Sequence, residues 1–249
     1  MEVWRLLLGF GGSFVAGYIG SVLGLVLGTL RLPLILIAAG SPTAGAGTNI
    51  AISAAAAGAG GLRHARAGRV NWRVVAWMAP PSMVGAVVGS LLSDSVPRAA
   101  LDGLIAAVLV WSGLDVALRP IVARPRERLR LGRSVGYGLV IGAIGGAIGV
   151  ILGTLRMPAL LRSVGMDIRA AAGTNLVVGF LLGVAAFVTH IATLDIDWPL
   201  LGAGMAGAIP GAWLGAHVTG RASERTLRLA LGVVLVTVGA AFAVEAVLA

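Results

Sequence analysis

The chain repeats itself, and that duplication limits its fold more than any other feature. Gly-Ser-Val-Leu-Gly-Leu-Val-Leu-Gly-Thr-Leu-Arg-Leu-Pro at 20–33 returns at 145–158 as Gly-Gly-Ala-Ile-Gly-Val-Ile-Leu-Gly-Thr-Leu-Arg-Met-Pro, at an offset of 125 residues. After one inserted residue the register continues at an offset of 126. Ala46-Gly47-Thr48-Asn49 matches Ala172-Gly173-Thr174-Asn175, His64 matches His190, Asn71-Trp72 matches Asp197-Trp198, and Gly85 and Gly89 match Gly211 and Gly215. A long self-match in one register means two copies of one folding unit. The boundaries that follow are a first repeat over 1–118, an arginine-rich connection over 119–133 and a second repeat over 134–249.

Each repeat carries five apolar runs. They fall near 6–28, 32–40, 47–62, 72–92 and 98–118 in the first copy, and near 134–154, 157–166, 173–192, 198–219 and 224–247 in the second. Composition identifies the solvent: 58% of the 249 residues are hydrophobic and 12% are charged, about half the usual charged fraction of globular domains. A water-soluble enzyme is excluded. The expected class is an all-α polytopic membrane protein. The run at 6–28 reads as the first membrane helix rather than a cleaved leader, since it has a counterpart later in the chain. The second run of each repeat spans about half of a ~30 Å hydrocarbon core and is therefore expected to be a broken or re-entrant helix.

Charge sets orientation. The connection between the third and fourth runs is basic in the first repeat, with Arg63, Arg66, Arg69 and Arg73, while its counterpart carries Asp195 and Asp197 and no arginine. Under the positive-inside rule the two connections face opposite sides, so the repeats are expected to be inverted. Arg119–Arg133 and Arg221–Arg228 then fall in the cytoplasm and both termini outside. The net charge of +9 is thus a topology signal, and no nucleic-acid partner is expected. Inverted repeats with interrupted helices are the architecture of alternating-access transporters.

The sharpest candidates flank the breaks. Arg31 and Arg156 occupy equivalent places between apolar runs, each two residues before a proline, and a charged group at membrane depth marks a functional pathway. A guanidinium beside a helix N-terminus is an anion site, because charge, dipole and N–H donors agree in sign; snorkelling to headgroups is the competing reading. Thr48, Asn49, Thr174 and Asn175 are expected near the start of the third run of each copy. There they either cap a buried helix end or hydrogen-bond an oxyanion. Gly20, Gly24 and Gly28, with Gly145, Gly149 and Gly153, recur every fourth residue and are expected to admit close helix packing.

The remaining polar residues give no other chemistry. His64, His190 and His217 are expected at interfacial edges and lack metal-site spacing; cysteine is absent. Asp115 can pair with Arg119 one turn on, and Asp102 has no acidic counterpart in the other repeat. No nucleophile has a base nearby, so an enzyme is not expected, and no cofactor is implied. Trp72 and Trp198 open their runs as interface residues.

In order and in duplicate, the glycine-rich segment leading to a proline, the Gly-Thr-Asn and the basic stretch Arg63-His64-Ala65-Arg66-Ala67-Gly68-Arg69-Val70-Asn71-Trp72 resemble the TauE/SafE sulfite exporter family, also called the toluene-sulfonate uptake permeases. The resemblance implies an inner-membrane carrier of sulfite, thiosulfate, sulfonates or related anions. Many members have Gly-Gly-Gly before the proline where this chain has Gly28-Thr29-Leu30-Arg31 and Gly153-Thr154-Leu155-Arg156, which suggests a small, compact anion held strongly. The expectation is an exporter of a small sulfur-containing anion in the bacterial inner membrane, with the anion and the bilayer as partners and a homo-oligomer left open. Carriage of another organic anion or a neutral solute, and a non-transporting membrane subunit, are the alternatives.

Overall fold

The computed structural model describes residues 3–91, 97–120, 129–148, 151–190 and 196–248. Among them the chain is helical, with no strand. The order is α1 (Val3–Leu23), α2 (Gly28–Ala38), α3 (Pro42–Arg66), α4 (Trp72–Leu91), α5 (Arg98–Leu118), α6 (Leu131–Ile148), α7 (Gly153–Pro158) running into a π-helical stretch (Ala159–Val164), α8 (Ile168–His190), α9 (Trp198–Thr219) and α10 (Glu224–Leu248). Offset by 125 or 126 residues, α1–α5 correspond one by one to α6–α10. The helices α1, α8 and α10 contain stretches both long and apolar enough to cross a membrane.

Two compact units form. One comprises Met1–Val70 with Ala172–Arg221, the other Asn71–Ala171 with Ala222–Ala249. Each therefore takes helices from both sequence repeats. In the first unit α1 packs along α9, and in the second α6 packs along α4; each pair joins the first helix of one repeat to the fourth of the other. Small residues make these crossings possible. A Cβ on Gly17 would lie 2.7 Å from the Ala208 carbonyl oxygen, and Cβ atoms on Gly207, Gly211 and Gly215 would strike the backbones of Phe10, Phe14 and Tyr18. In the second unit Gly138 lies against the backbone of Met78, Gly142 against Ser82 and Gly146 against Ala86, while Gly85 and Gly89 face Leu139 and Ala143. Lipid offers no hydrophobic drive for helix association, so backbone approach over small residues supplies the attraction.

Contacts also give helix directions. Phe180 lies by Gly58, Val177 by Gly61 and the His64 side chain by Gly173, so the equivalent helices α3 and α8 run antiparallel. In the second unit Ala246 lies by Gly103 and Val236 by Gly113, so α5 and α10, again equivalents, are antiparallel.

The interruptions differ from the sequence expectation. The break lies at Gly24–Leu27, upstream of Arg31. α1 stops at Leu23 because Gly24 takes φ +71°, a conformation open to glycine and costly to other residues, and its backbone abuts Ala172 so closely that no Cβ fits. α2 then starts at Gly28, which places Arg31 in its second turn and Pro33 inside it. Gly24 and Gly28 thus stand at the two edges of the break rather than along one helix face. In the second repeat Gly153 opens α7, and Gly149 lies outside the described residues. After Pro158 the chain widens into the π-helical stretch, which Gly165 ends at φ +93°.

The third helices begin earlier than expected. The Ser41 side chain accepts from the Ala44 amide at 3.2 Å with Pro42 following, and Asp167 Oδ1 accepts from Ala170 at 2.9 Å. These are the N-caps, so Thr48, Asn49, Thr174 and Asn175 lie within helices rather than at their N-caps.

Arg162, in the π-helical stretch, was not singled out by sequence. Its Nε lies 2.7 Å from Asp115 Oδ2, and its amino groups donate to the carbonyls of Asp115, Arg119 and Pro120 at 2.7–3.0 Å. Asp115 also meets Arg119 at 3.4 Å, as the i,i+4 spacing suggested. The guanidinium caps the C-terminus of α5. Arg162→Gln should lower thermal stability, by about 1 kcal/mol given the partial solvent exposure of the pair; an unchanged melting temperature of the purified protein would contradict that.

Candidate functional site

Breaking α1 at Leu23 frees its last carbonyls, and buried carbonyls must find donors. The Leu25 amide donates to Gly20 O at 2.6 Å. Thr219 Oγ1, from the end of α9, donates to Val22 O at 2.8 Å and to Ser21 O at 3.3 Å. His64 Nε2 lies 3.3 Å from Ser21 O. The break itself is held at both edges by the two repeat-related asparagines: Asn175 Nδ2 donates to Gly24 O at 2.7 Å, and Asn49 Nδ2 to Gly28 O at 3.1 Å. The two Gly-Thr-Asn motifs, 126 residues apart in sequence, thus meet on one interruption.

Arg31 lies directly beyond it. Its side chain is 2% exposed. Nε and Nη2 donate to Asn49 Oδ1 at 3.0 and 2.8 Å, and Nη2 reaches Asn49 O at 3.0 Å and Ser53 Oγ at 2.7 Å. Ser53 in turn donates to Asn49 O at 2.7 Å. Every one of these acceptors is neutral. Among the described residues no carboxylate pairs with Arg31, and no acceptor engages its Nη1 group. A buried guanidinium without a countercharge is an expensive arrangement in a low-dielectric interior.

Next to it is a small cavity lined by Gly17, Ser21, Leu25, Val26, Gly28, Ser53, Ala57 and Leu176, with Arg31 as its charged member. About 10 Å³ is open to the centre of a water-sized sphere, the space of a single water. The Ser21 hydroxyl, also buried, has no hydrogen-bond partner among the described residues. The first N–H groups of α2 lack a side-chain cap, because Leu27 occupies the N-cap. Guanidinium, helix N-terminus and hydroxyl are all donors, so the cavity suits an anion.

The other expected residues are placed as follows. Thr48 is buried and its Oγ1 accepts from the Asp197 amide at 3.1 Å. Thr174 and Asn175 are fully buried on α8. Arg156 belongs to the other compact unit and is 1% exposed. Burial of both arginines removes the snorkelling reading. His64 is 0% exposed, not at an interfacial edge as expected, because it serves the freed carbonyl of Ser21. The side chain of His190, and Asp195, lie outside the described residues.

Sequence reasoning missed Ser53 and Ser21. At their repeat-related positions stand Gly179 and Gly146, so a search confined to duplicated residues passes over them. The i,i+4 step from Asn49 to Ser53 on one helix face was the available signal.

At the ends of the first unit, charge is segregated. Arg63 and Arg66 lie over the Trp213 ring at 5.8 and 5.3 Å, and Arg69 donates to Ala216 O at 3.0 Å, all at the C-terminal end of α9. Asp197 caps the N-terminal end of α9 and pairs with Arg5 at 3.0 Å.

Comparison with known proteins adds to this geometry. The family model described as "Sulfite exporter TauE/SafE" matches residues 9–242. A protein called a probable membrane transporter from Xylella fastidiosa is 27% identical, over 96% of this chain and 95% of its own. The probable membrane transporter YdhB of Bacillus subtilis is 23% identical, over 93% and 92%. One from Sinorhizobium, designated ORF9, is 28% identical, over 85% and 80%. No solved structure matches.

Proposed function

The chain belongs to the sulfite exporter TauE/SafE family and is a membrane transporter, and on that premise we propose that it exports a small sulfur-containing anion, sulfite or an organosulfonate, across the bacterial inner membrane by alternating access. The observation that carries this reading is Arg31: a buried cation bonded to neutral acceptors, with Nη1 and a small cavity left for a ligand. The anion is the missing countercharge. Asn49 and Ser53 orient the guanidinium, and Asn175, from the second repeat, holds the far edge of the break; Arg156 is the matching buried cation of the other unit.

Inversion of the repeats is supported by the antiparallel course of α3 against α8 and of α5 against α10. It is further supported by the placement of the Arg63–Arg69 segment and Asp197 at opposite ends of α9. With the arginine-rich segment in the cytoplasm, both termini face outward. The cavity is smaller than sulfite, so binding must open it. That expansion is where ligand binding can drive the rearrangement, since only a difference in affinity between two states moves an equilibrium.

An inside-negative potential contributes ~2.3 kcal/mol per charge per 100 mV toward anion exit. Among the described residues no carboxylate has an acidic counterpart in the other repeat to carry a compensating proton. In proteoliposomes a 100 mV potential, negative inside, should therefore hold a monovalent substrate at about a fifty-fold outward gradient. Flux indifferent to potential would contradict export of a free anion.

A further inference from the structure

Resting on the reading of Arg31 as the anion's partner, we infer that this cavity is a charge-state filter: it accepts a singly charged anion, and for sulfite it takes hydrogensulfite in preference to the dianion.

Charge within the cavity is the first ground. Among the described residues that line it Arg31 alone is charged, and the others that can meet a ligand are hydroxyls, backbone amides and apolar side chains of Leu25, Val26, Leu27, Ala57 and Leu176. One guanidinium neutralises one negative charge. A second charge on the ligand would stay buried among apolar walls without a partner, where desolvation exceeds what neutral donors return. Neutral hydrogen bonds are also roughly half as strong as charge-assisted ones.

Donor and acceptor inventory is the second ground. Asn49 Oδ1, Asn49 O and Ser53 Oγ are already occupied by Arg31. The unengaged side-chain groups are Arg31 Nη1, a donor, and Ser21 Oγ, which both donates and accepts. A monoanion that keeps one hydroxyl matches this pair, with its charge on Nη1 and its hydroxyl on Ser21. A dianion offers acceptors only, and although Ser21 can donate to it, a neutral hydroxyl leaves its second charge uncompensated. Ser21 has glycine at its repeat-related position, so the hydroxyl is particular to this half.

Hydrogensulfite loses its remaining proton near neutral pH, methanesulfonate is a monoanion throughout that range, and sulfate is a dianion throughout it. The experiment is equilibrium binding of the three to the purified full-length protein between pH 6 and 9. The charged or titratable side chains on elements packed against α2 are Arg5 and Tyr18 on α1 and Arg63, His64 and Arg66 on α3. His64 Nε2 bonds Ser21 O at the cavity edge. Methanesulfonate reports any effect of His64 titration, because its own charge does not change.

Expected is a sulfite Kd that rises about tenfold per pH unit once hydrogensulfite becomes the minor species, a methanesulfonate Kd constant within about twofold, and sulfate binding at least about a hundredfold weaker than methanesulfonate. Sulfite affinity that stays constant or improves as pH rises, or sulfate binding as tight as methanesulfonate, overturns the filter while leaving Arg31 as the anion site. Equal binding of all three by wild-type and Arg31→Gln protein overturns the Arg31 site as well. Ser21→Ala separates the two grounds: it should weaken hydrogensulfite binding about tenfold at pH 6 and methanesulfonate less, and equal losses for both would remove the hydroxyl pairing.

Discussion

Arg31→Gln should abolish sulfite flux in proteoliposomes without unfolding the protein, and its melting temperature should hold or rise. The two halves of that expectation have one origin. In the unloaded protein Arg31 is a buried cation whose partners are neutral oxygens of Asn49 and Ser53, so removing its charge relieves desolvation rather than orphaning a countercharge. Glutamine can still donate to Asn49. In the loaded protein the same substitution leaves a buried anion without its cation, a loss of about 2–5 kcal/mol, or about thirty- to several-thousandfold in affinity. A structural arginine behaves the opposite way, losing stability when replaced. Arg31→Lys should fall between, since a point charge cannot reproduce the fork held on Asn49. Arg156→Gln should likewise stop flux; wild-type flux in both glutamine variants would remove the anion-site account.

The second large effect concerns the helix crossings. Gly211→Val and Gly142→Val each put a branched side chain where the backbones of Phe14 and Ser82 already stand. Backbone atoms of a packed helix cannot swing aside, so α1–α9 or α4–α6 must separate along its length. The loss should be about 3 kcal/mol or more, above the ordinary range for overpacking, and visible as aggregation or loss of the monodisperse species after detergent extraction. Gly136→Ala, where nothing lies within 4 Å of a Cβ, is the matched control and should be silent. Equal behaviour of Gly211→Val and the control would show that close backbone approach is not what holds these pairs.

Much of this architecture was legible because duplication doubles every signal. A single Gly-Thr-Leu-Arg before a proline is weak, but two at one offset placed the starts of α2 and α7 to within a few residues. The order and number of helices followed in the same way. What misled was local punctuation. Pro33 and Pro158 read as helix starts, yet both lie inside helical segments, while the chain actually breaks at Gly24, whose positive φ leaves no trace in an apolar run that looks continuous to Gly28. Thr48-Asn49 and Thr174-Asn175 read as opening the third helices, although Ser41-Pro42 and Asp167 carried the stronger cap signal a turn or two earlier. Being mid-helix, the asparagines are free to hold the break instead.

The Arg31 surroundings were half legible. Asn49 is duplicated and was found; Ser53 and Ser21 are not duplicated and were missed. This asymmetry has a physical meaning, since inverted repeats tie the fold to the pattern but leave each copy free to specialise its own cavity. His64 shows a related failure: a histidine near a basic loop reads as solvated, and only the freed Ser21 carbonyl explains why it is buried.

The central claim is that a ligand anion supplies the countercharge Arg31 lacks, and calorimetric titration of sulfite into purified wild-type and Arg31→Gln protein at pH 6 tests it most directly. The account requires saturable binding to the wild type and a loss of about thirtyfold or more in the variant, with the variant still folded by circular dichroism. Matching affinities in the two proteins would contradict it.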